Sequence, residues 1–331
     1  MKIGWFVPST ETDYDKVTSS VWMRCLQLIP YLTRLGVENV INDYDCDVAM
    51  FVRWQDETAL AAAKRLRQAG TPVIFDMVVN YFEESHSSYR LNAVSSGQVT
   101  ECRSMVEQAD MVTCVSEYIA GKAKQYHDTV RYLPDSIDFS HFNGCKDPAD
   151  FDRPKLRALW CGVSVKANDL TPVLPLLKKH GLDLTIISDA RVKLGKRHFF
   201  SRSYPYDFYR WSYNRPEHLL QGEIALGYRD LTHVYDRGHS FFKVGLPLSQ
   251  GLPVLASPVP SYSEIIHDNK GGKLCTTLEE WDDILGRIVA DRSLLKTWSS
   301  QAQAIMEPYS TENLALRYLE CFRILTGEAK G

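Results

Sequence analysis

The sequence lacks any run of about 20 apolar residues, the length that a membrane-spanning helix needs. It also lacks an excess of positive charge: 38 basic and 41 acidic side chains give a net charge of −3, which argues against a general nucleic-acid-binding protein. The opening residues "MKIGWFVPST" pass straight into a strand-like run, without the apolar core of a signal peptide. We therefore expect no nucleic-acid partner and a cytoplasmic location.

The eight cysteines include no C-x-x-C pair. Cys114 in "MVTCVS" and Cys161 in "ALWCG" lie in apolar runs that are typical of buried strands. Free cysteine behaves as a small buried hydrophobic residue, so the pattern indicates core packing rather than a disulfide framework or a metal site. This use of cysteine favours a reducing compartment.

Short apolar runs alternate with longer amphipathic segments along almost the whole chain. This alternation predicts right-handed strand–helix–strand crossovers and parallel sheets. The strand-like runs are residues 3–8, 47–52, 71–76, 109–116 and 129–138, then 156–162, 182–188, 223–228 and 252–257. Near the C-terminus, helices are predicted at 278–290, 292–306 and 311–326, the first of them opened by Thr277 and Glu280 at the spacing of a capping box.

A polar, proline-containing stretch at 144–155 interrupts the alternation and predicts an interdomain linker. We predict an α/β protein with two doubly wound Rossmann-like domains, since a single core seldom grows to 331 residues. The predicted domains are 1–148 and 149–308, with a C-terminal helix at about 309–328 packing back on the first. Ligands of such sheets bind at the carboxyl ends of the strands, so we expect a site facing an interdomain cleft.

Four segments, in this order and spacing, resemble the GT-B-fold glycosyltransferases, specifically the large family-4-like group. They are "ADMVTCVSEYIAGKAK", "VRYLPDSIDFSHF", "KVGLPLSQGLPVLASPVPSYSEII" and the closing helices from "DRSLLKTWSS" to "CFRIL". The resemblance spans roughly residues 109–326. It implies two Rossmann-like domains with the donor-binding site in the second.

The same resemblance implies transfer of a sugar from a nucleotide-sugar donor, with retention, to a glycan, lipid-linked or small-molecule acceptor. No metal and no further cofactor are expected. Two alternatives stay open: a nucleotide-sugar epimerase on the same fold, and a degenerate protein that binds a glycan or a partner without catalysis.

Two segments are candidates for holding the donor diphosphate. "CGVSVKAND" supplies Gly162 for close backbone approach, with Ser164 and Lys166 as donors before a predicted helix. The family places a phosphate-binding lysine at this point, and usually an arginine near the position that Ser164 occupies here. In "RGHSFFKVG", Ser240 is predicted to cap a helix and Lys243 matches a lysine of part of the family. A plain turn and the polar face of a helix are the structural alternatives.

The two glutamates of the family, the second of which holds the ribose, align with Gly238 and Leu246. Neither residue can accept the charge-assisted hydrogen bonds of a ribose. Glu264 is the nearest carboxylate, but Ser261 and Glu264 have the spacing of a capping box, which competes with a donor contact. Backbone amides from Ser261 through Tyr262 to Ser263 are expected to face the ligand.

On the acceptor side, Asp76 and Asn80 follow a predicted strand, and Arg53 ends the neighbouring one. Asp76 is a candidate base for the acceptor hydroxyl, and a buried Asp76–Arg53 ion pair that only braces the loops is the alternative. His86 lies in a polar loop. Two further acceptor-side candidates, in the segment that takes the place of the family's Gly-Gly loop, are Ser19 and Ser20.

Two other sequence patterns each admit a functional and a structural interpretation. Asp43, Asp45 and Asp47 resemble a metal-binding D-x-D, but they precede a strand instead of following one, which favours an acidic turn. Residues 191–215 combine seven basic residues with eight aromatic ones. A loop near the ligand is the preferred interpretation, and peripheral contact with the inner face of a membrane is the alternative.

Overall fold

The computed structural model describes residues 1–85, 93–195, 204–267 and 270–328. The chain forms two compact units. Unit 1 comprises Met1–Asp138, His233–Ser240 and the residues from Pro308 onward, and unit 2 comprises Phe139–Thr232 and Phe241–Glu307.

Unit 1 is built on a parallel sheet with the strand order β2-β1-β3-β4-β5-β6. Its strands are β1 Lys2–Phe6, β2 Glu38–Ile41, β3 Val48–Val52, β4 Val73–Met77, β5 Met111–Cys114 and β6 Val130–Tyr132. Successive residues of β3 belong to different cores: Ala49 and Phe51 to one, Val48 and Met50 to the other. Both faces of the sheet are therefore covered, as parallel sheets require.

The helices of unit 1 lie on both faces of this sheet. They are α1 Ser19–Val21, α2 Ile29–Arg34, α3 Glu57–Gln68, α4 Ser96–Gln108, α5 Glu117–Ala123, α7 Val234–Arg237 and α12 Thr311–Thr326, with a π-helical segment Trp22–Leu26 between α1 and α2. Asp56, Ser95, Ser116 and Ser310 cap the longer ones with side-chain hydrogen bonds. Such caps satisfy the free amide groups of a first helical turn.

Helix α12 closes the second face of the unit 1 sheet. The rings of Tyr318 and Phe322 pack against Trp5 of β1 in tilted and edge-on arrangements, with ring centroids 6.3 and 6.2 Å away. Ser310 begins the helix and also forms a β-bridge with Ile137. The aromatic side chains of α12 thus connect this helix to β1.

Unit 2 contains a second parallel sheet, with the order β12-β11-β10-β7-β8-β9. The strands are β7 Arg157–Cys161, β8 Asp183–Ser188, β9 Asp207–Arg210, β10 Ile224–Gly227, β11 Val254–Ala256 and β12 Gly272–Leu274. The helices are α6 Leu174–Lys179, α8 Phe242–Ser249, α9 Pro260–Ile265, α10 Leu278–Ala290 and α11 Ser293–Met306, together with 3₁₀ turns at Pro148–Asp152, Ser164–Leu170 and Pro216–Leu220.

The core of unit 2 includes Trp160 of β7, Leu174 and Leu177 of α6, and Trp281 of α10. Helix α8 packs on the other side, against β10, β11 and α11. The carboxyl ends of β7 and β10 are neighbours because these strands pair directly, with Ala225 opposite Leu159. In the part of the chain that the structure describes, no helix is both long and apolar enough to cross a membrane.

Candidate functional site

The turn after β7 is shaped around Gly162. Its N–H donates to the Ile187 carbonyl at 3.1 Å, and its carbonyl accepts from the Ser188 hydroxyl at 2.7 Å. A Cβ atom at this position would lie 2.9 Å from Nζ of Lys243 and 2.9 Å from the Trp160 ring. Only glycine fits, because the space a side chain would need holds the lysine amine.

Lys243 lies in the first turn of α8, and its stem is partly exposed. Its amine is buried, lies 4.1 Å from the centroid of the Trp160 ring, and has no hydrogen-bond partner among the described residues. Burial lowers the pKa of Lys243 well below its ordinary value, and the positive charges of Arg229 and Lys166 lower it further. Buried polar groups are nearly always hydrogen-bonded. The Lys243 amine is an exception, and this makes its surroundings a candidate ligand-binding site.

Arg229 follows β10 and is held from two sides. Its backbone N–H donates to the hydroxyl of Ser257 at 2.9 Å, and its Nη1 donates to Oδ2 of Asp169 at 2.8 Å. The two charged side chains are only 4% and 9% exposed. Asp169 belongs to the 3₁₀ turn after Gly162, so the ion pair joins the carboxyl ends of β7 and β10.

Ser164 and Lys166 both lie in that 3₁₀ turn. The N–H and hydroxyl of Ser164 donate to the Asp189 carboxylate at 2.6 and 3.0 Å, so both are engaged within the protein. Burial alone would raise the pKa of Asp189, but hydrogen bonds from Ser164 and Ser188 lower it. Lys166 is half-buried, and its charge acts on Lys243.

Helix α9 does not begin where the sequence predicted. Val259 is its N-cap and Pro260 its first residue, so the predicted capping box of Ser261 and Glu264 is wrong. The sequence predicted that the amides of Tyr262 and Ser263 face a ligand. They instead donate to the Val259 carbonyl, at 2.9 and 3.0 Å. Proline fixes the backbone angle of a first helical position, and this outweighs the serine signal.

Tyr262 and Ser261 are buried, whereas Ser263 and Glu264 are half-buried. The Tyr262 ring packs beside Gly227 at the end of β10, where an added Cβ would approach it to 3.4 Å. Tyr262 thereby packs against the carboxyl end of β10, and Glu264 is a partly exposed carboxylate of the same helix.

The two positions of the family glutamates are both packed in the protein interior. Leu246 is 2% exposed within α8. Gly238 lies against Asn80, whose Cβ would be 2.8 Å from a Cβ added to the glycine. No carboxylate from either position can therefore reach a ribose.

Ser240 does not cap α8, contrary to the prediction. The N-cap is Phe241, without a side-chain hydrogen bond. The Ser240 hydroxyl instead donates to the Asp135 carboxylate in unit 1. The segment "RGHSFFKVG" is thus divided, with Ser240 in unit 1 and Lys243 in unit 2.

Asp76 is fully buried at the end of β4, and its ion-pair partner is Arg24 instead of the predicted Arg53. Arg24 donates to Asp76 through Nε at 2.9 Å and Nη2 at 2.5 Å, and Thr113 donates at 2.6 Å. Arg53, in a left-handed conformation with φ of 51°, donates through Nε to the Tyr81 hydroxyl at 3.1 Å. The pairing differs because the side chain of Asp76 points to the face of the sheet that is covered by the π-helical segment Trp22–Leu26, which contains Arg24.

The remaining acceptor-side candidates are dispersed. Asn80 is buried, with its amide donating to Glu83 at 2.9 Å and its carbonyl oxygen accepting from the Phe82 N–H at 3.1 Å. Ser20 is buried and Ser19 is exposed, both in α1. His86 lies outside the described residues.

Sequence reasoning missed Arg24 and Asp135, which complete a buried polar cluster with Asp76. Arg24 also donates to the Leu133 carbonyl at 2.6 Å and lies 3.5 Å from Asp135. Burial raises the pKa of Asp135, although the charge of Arg24 opposes this. The sequence also gave no indication of Arg229 and Asp169, since a single arginine after an apolar run has no distinguishing pattern.

The acidic run before β3 is a turn, as predicted. Asp45 pairs with Lys2 at 2.8 Å, and Asp47 accepts from the Lys2 backbone at 2.7 Å. Among the residues that the structure describes, no three histidine, cysteine or acidic side chains are grouped as metal ligands would be.

No family model matches the sequence, and no curated protein does. Solved structures do match. Anabaena Alr3699/HepE in complex with UDP and glucose has 14% identity and a TM-score of 0.68, covering 97% of this chain and 99% of its own. Sucrose-phosphate synthase from Thermosynechococcus elongatus has 11% identity and a TM-score of 0.73, covering 99% and 100%. A glycosyltransferase from Rickettsia africae has 11% identity and a TM-score of 0.65, covering 99% of each chain.

These similarities, together with two parallel six-stranded sheets flanked by helices, show that the chain has the GT-B fold. The predicted fold class is confirmed. At this level of identity the comparison concerns the fold, and the activity has to be argued from the site.

Proposed function

We propose that this protein is a glycosyltransferase that takes its sugar from a nucleotide-sugar donor bound in unit 2. The observation that carries the proposal is the buried Lys243 amine, which lies beside Gly162 without a hydrogen-bond partner among the described residues. An amine in this state is costly unless an anion completes its environment. The donor diphosphate is such an anion.

The location of the amine agrees with this assignment. Gly162 and Arg229 follow the carboxyl ends of two paired strands, β7 and β10, and ligands of doubly wound sheets bind at this edge. The 3₁₀ turn Ser164–Leu170 adds Lys166. The structurally similar HepE was also solved with UDP-glucose, which is a donor of the class that we propose.

The chemical role of these cations is to stabilise the departing nucleoside diphosphate. Charge accumulates on the leaving phosphate as the glycosidic bond of the donor breaks, and preorganised positive groups lower the energy of that state. Lys166 supplies charge from the protein itself, and Lys243 is expected to take up a proton when the diphosphate anion lies beside it, so the proposed mechanism is metal-independent. Retention of configuration is proposed from the family resemblance.

The acceptor is proposed to be a glycan, a lipid-linked sugar or a small molecule, with unit 1 contributing its binding side. Arg53 and Asn80 remain the candidates there. For Asp76 we propose a bracing role instead of the predicted catalytic one. Its carboxylate accepts three hydrogen bonds from Arg24 and Thr113 and is fully buried.

A non-catalytic binding protein is the second candidate, and the packed Gly238 and Leu246 favour it. Without a ribose carboxylate, such a protein would bind the phosphates of a ligand but turn over none. The two candidates share the phosphate site and differ only in whether a product forms.

The test is a calorimetric screen of nucleotide sugars and nucleoside diphosphates, followed by product analysis with and without a mixture of acceptors. We expect at least one nucleotide sugar to bind and Lys243→Met to remove that binding. Lys296→Met in α11, which breaks only a surface ion pair with Asp152, is the matched control. Binding without any product would favour the binding protein, product without acceptor would indicate an epimerase, and no binding at all would refute the proposed function.

A further inference from the structure

Arg229 lies close to the proposed diphosphate site but comes from a different strand than the residues the sequence singled out. Gly162 follows β7, whereas Arg229 follows β10, the strand that pairs with it. Its guanidinium is 4% exposed and is fixed by Asp169 through the 2.8 Å contact. A buried arginine at the ligand-binding edge of a parallel sheet is a position that an anion can reach.

The end of β10, two residues before Arg229, packs against the first turn of α8, which carries Lys243. A Cβ added to Gly227 would lie 2.7 Å from Val244, the residue after Lys243. After burial, the charge of Arg229 is the first influence on the pKa of Lys243, ahead of Asp169 and Lys166. The charged and titratable groups acting on the amine are Arg229, Asp169, Lys166 and Cys161.

The basic side chains of this group favour an anion. Lys166 and Arg229 both act on the buried Lys243 amine. Like charges close together in a buried site repel each other, and an anionic ligand relieves that repulsion. A diphosphate is such an anion, and its oxygens suit the planar fork of an arginine.

The turn after β7 carries Ser164 and no arginine, so a guanidinium for the phosphates has to come from another strand. The hydroxyl and N–H of Ser164 are occupied by Asp189. Arg229 brings the missing charge from the adjacent strand end.

We infer that Arg229 is a third diphosphate-contacting residue, which Asp169 orients toward the phosphates bound at Gly162 and Lys243. The inference rests on the proposed function, because it concerns the same site. Asp169 is the positioning residue of this pair and does not itself contact the anion.

The test uses inorganic pyrophosphate as the probe and the full-length chain, with affinity measured by calorimetry. We expect Arg229→Gln to weaken binding by about 10-fold to 100-fold, since a hydrogen bond to a charged group contributes about 1.5–3 kcal/mol. Arg229→Lys keeps the charge but loses the fork, so it should weaken binding by about 3-fold to 10-fold. Arg215→Gln, an exposed arginine paired with Glu217, should leave the affinity unchanged.

The thermal unfolding of each variant is measured in parallel, and Arg229→Lys keeps the test decisive if Arg229→Gln fails to fold. The inference is overturned if a folded Arg229 variant binds pyrophosphate within twofold of the wild type while Lys243→Met loses it. In that case the proposed function stands without Arg229. If the wild type binds neither pyrophosphate nor any nucleotide sugar, the proposed function fails together with the inference.

Discussion

Nζ of Lys243 lies 4.1 Å from the centre of the Trp160 ring, and a Cβ atom added to Gly162 would lie 2.9 Å from it. An ammonium over an indole ring would be a favourable cation–π pair. Burial and two neighbouring cations, however, favour the neutral amine. These three residues form the centre of the proposed diphosphate site.

Lys243→Met is expected to stabilise the protein while abolishing diphosphate binding. The substitution removes a buried polar group without a hydrogen-bond partner in the described chain, which costs about 1–3 kcal/mol, and keeps a similar volume. Urea unfolding at pH 7 measures the gain, with Lys296→Met as the neutral control. A variant less stable than the wild type would show that the amine has a structural partner.

The advantage of Lys243→Met should shrink as the pH rises. Between the lowered folded pKa of Lys243 and its ordinary value of 10.5, the unfolded chain binds a proton that the folded chain does not. The free energy of unfolding of the wild type therefore increases with pH in this interval relative to the variant. Paired unfolding curves at pH 7 and pH 9.5 measure the difference, and a gap that stays constant would contradict the lowered pKa.

Gly162→Ala should reduce both stability and ligand binding. The new Cβ would meet Nζ of Lys243 and the Trp160 ring at 2.9 Å, so the amine must shift, at an overpacking cost of about 1–3 kcal/mol. Gly121→Ala in α5 is the control, because nothing lies within 4 Å of its added Cβ and alanine favours a helix. Thermal unfolding and pyrophosphate titration give the two readouts. A fully active and stable Gly162→Ala would place the phosphates elsewhere.

Restoring the family glutamate by Leu246→Glu should destabilise the protein without improving donor affinity. Leu246 is 2% exposed, so a carboxylate there would be buried without a designed partner, a change that costs several kcal/mol. Leu246→Met separates the loss of packing from the introduction of charge. Tighter donor binding by a stably folded Leu246→Glu would mean that α8 can present this position to ribose.

Asp76→Asn should be among the most destabilising substitutions in unit 1. It removes the charge that pairs with the buried Arg24 and leaves that guanidinium without its main partner, a loss of about 3–5 kcal/mol. Asp45→Asn, which breaks an exposed pair with Lys2, should have little effect. Urea unfolding compares the two. Near-normal stability of Asp76→Asn combined with lost turnover would instead support Asp76 as the base.

Much of the fold was predictable because its long helices and central strands have strong apolar periodicity. The helices predicted at 278–290, 292–306 and 311–326 are observed at Leu278–Ala290, Ser293–Met306 and Thr311–Thr326. Their caps and apolar stripes are local properties of the sequence. Central strands such as β3 and β8 were found for the same reason, since burial on both faces gives continuous apolar runs.

The strands that sequence reasoning missed are β2, β9 and β12, and each lies at the edge of its sheet. β2 and β9 are mostly half-exposed, with polar residues at their ends. Edge strands are stabilised by pairing with one neighbour more than by burial, so their sequences need little apolar pattern. The tertiary context defines them.

The candidate site was predictable in its glycine and lysines but not in its ion pairs. Gly162, Lys166 and Lys243 follow recognisable turns of the sequence, and the structure brings them together. The partners Arg24 and Asp76 are 52 residues apart, and Arg229 and Asp169 are 60 apart. Pairings over such distances depend on strand register, which a single sequence does not encode locally.

The attachment of α12 to β1 has a consequence for how the protein is made. One face of the first sheet, including Trp5, is covered by Tyr318 and Phe322, which are synthesised long after it. Domains generally fold as units during synthesis, with the N-terminal one first. Here unit 1 must wait with an uncovered apolar face until α12 has emerged from the ribosome. A nascent chain stopped before Thr311 should therefore be retained by chaperones, whereas a chain that includes α12 is released.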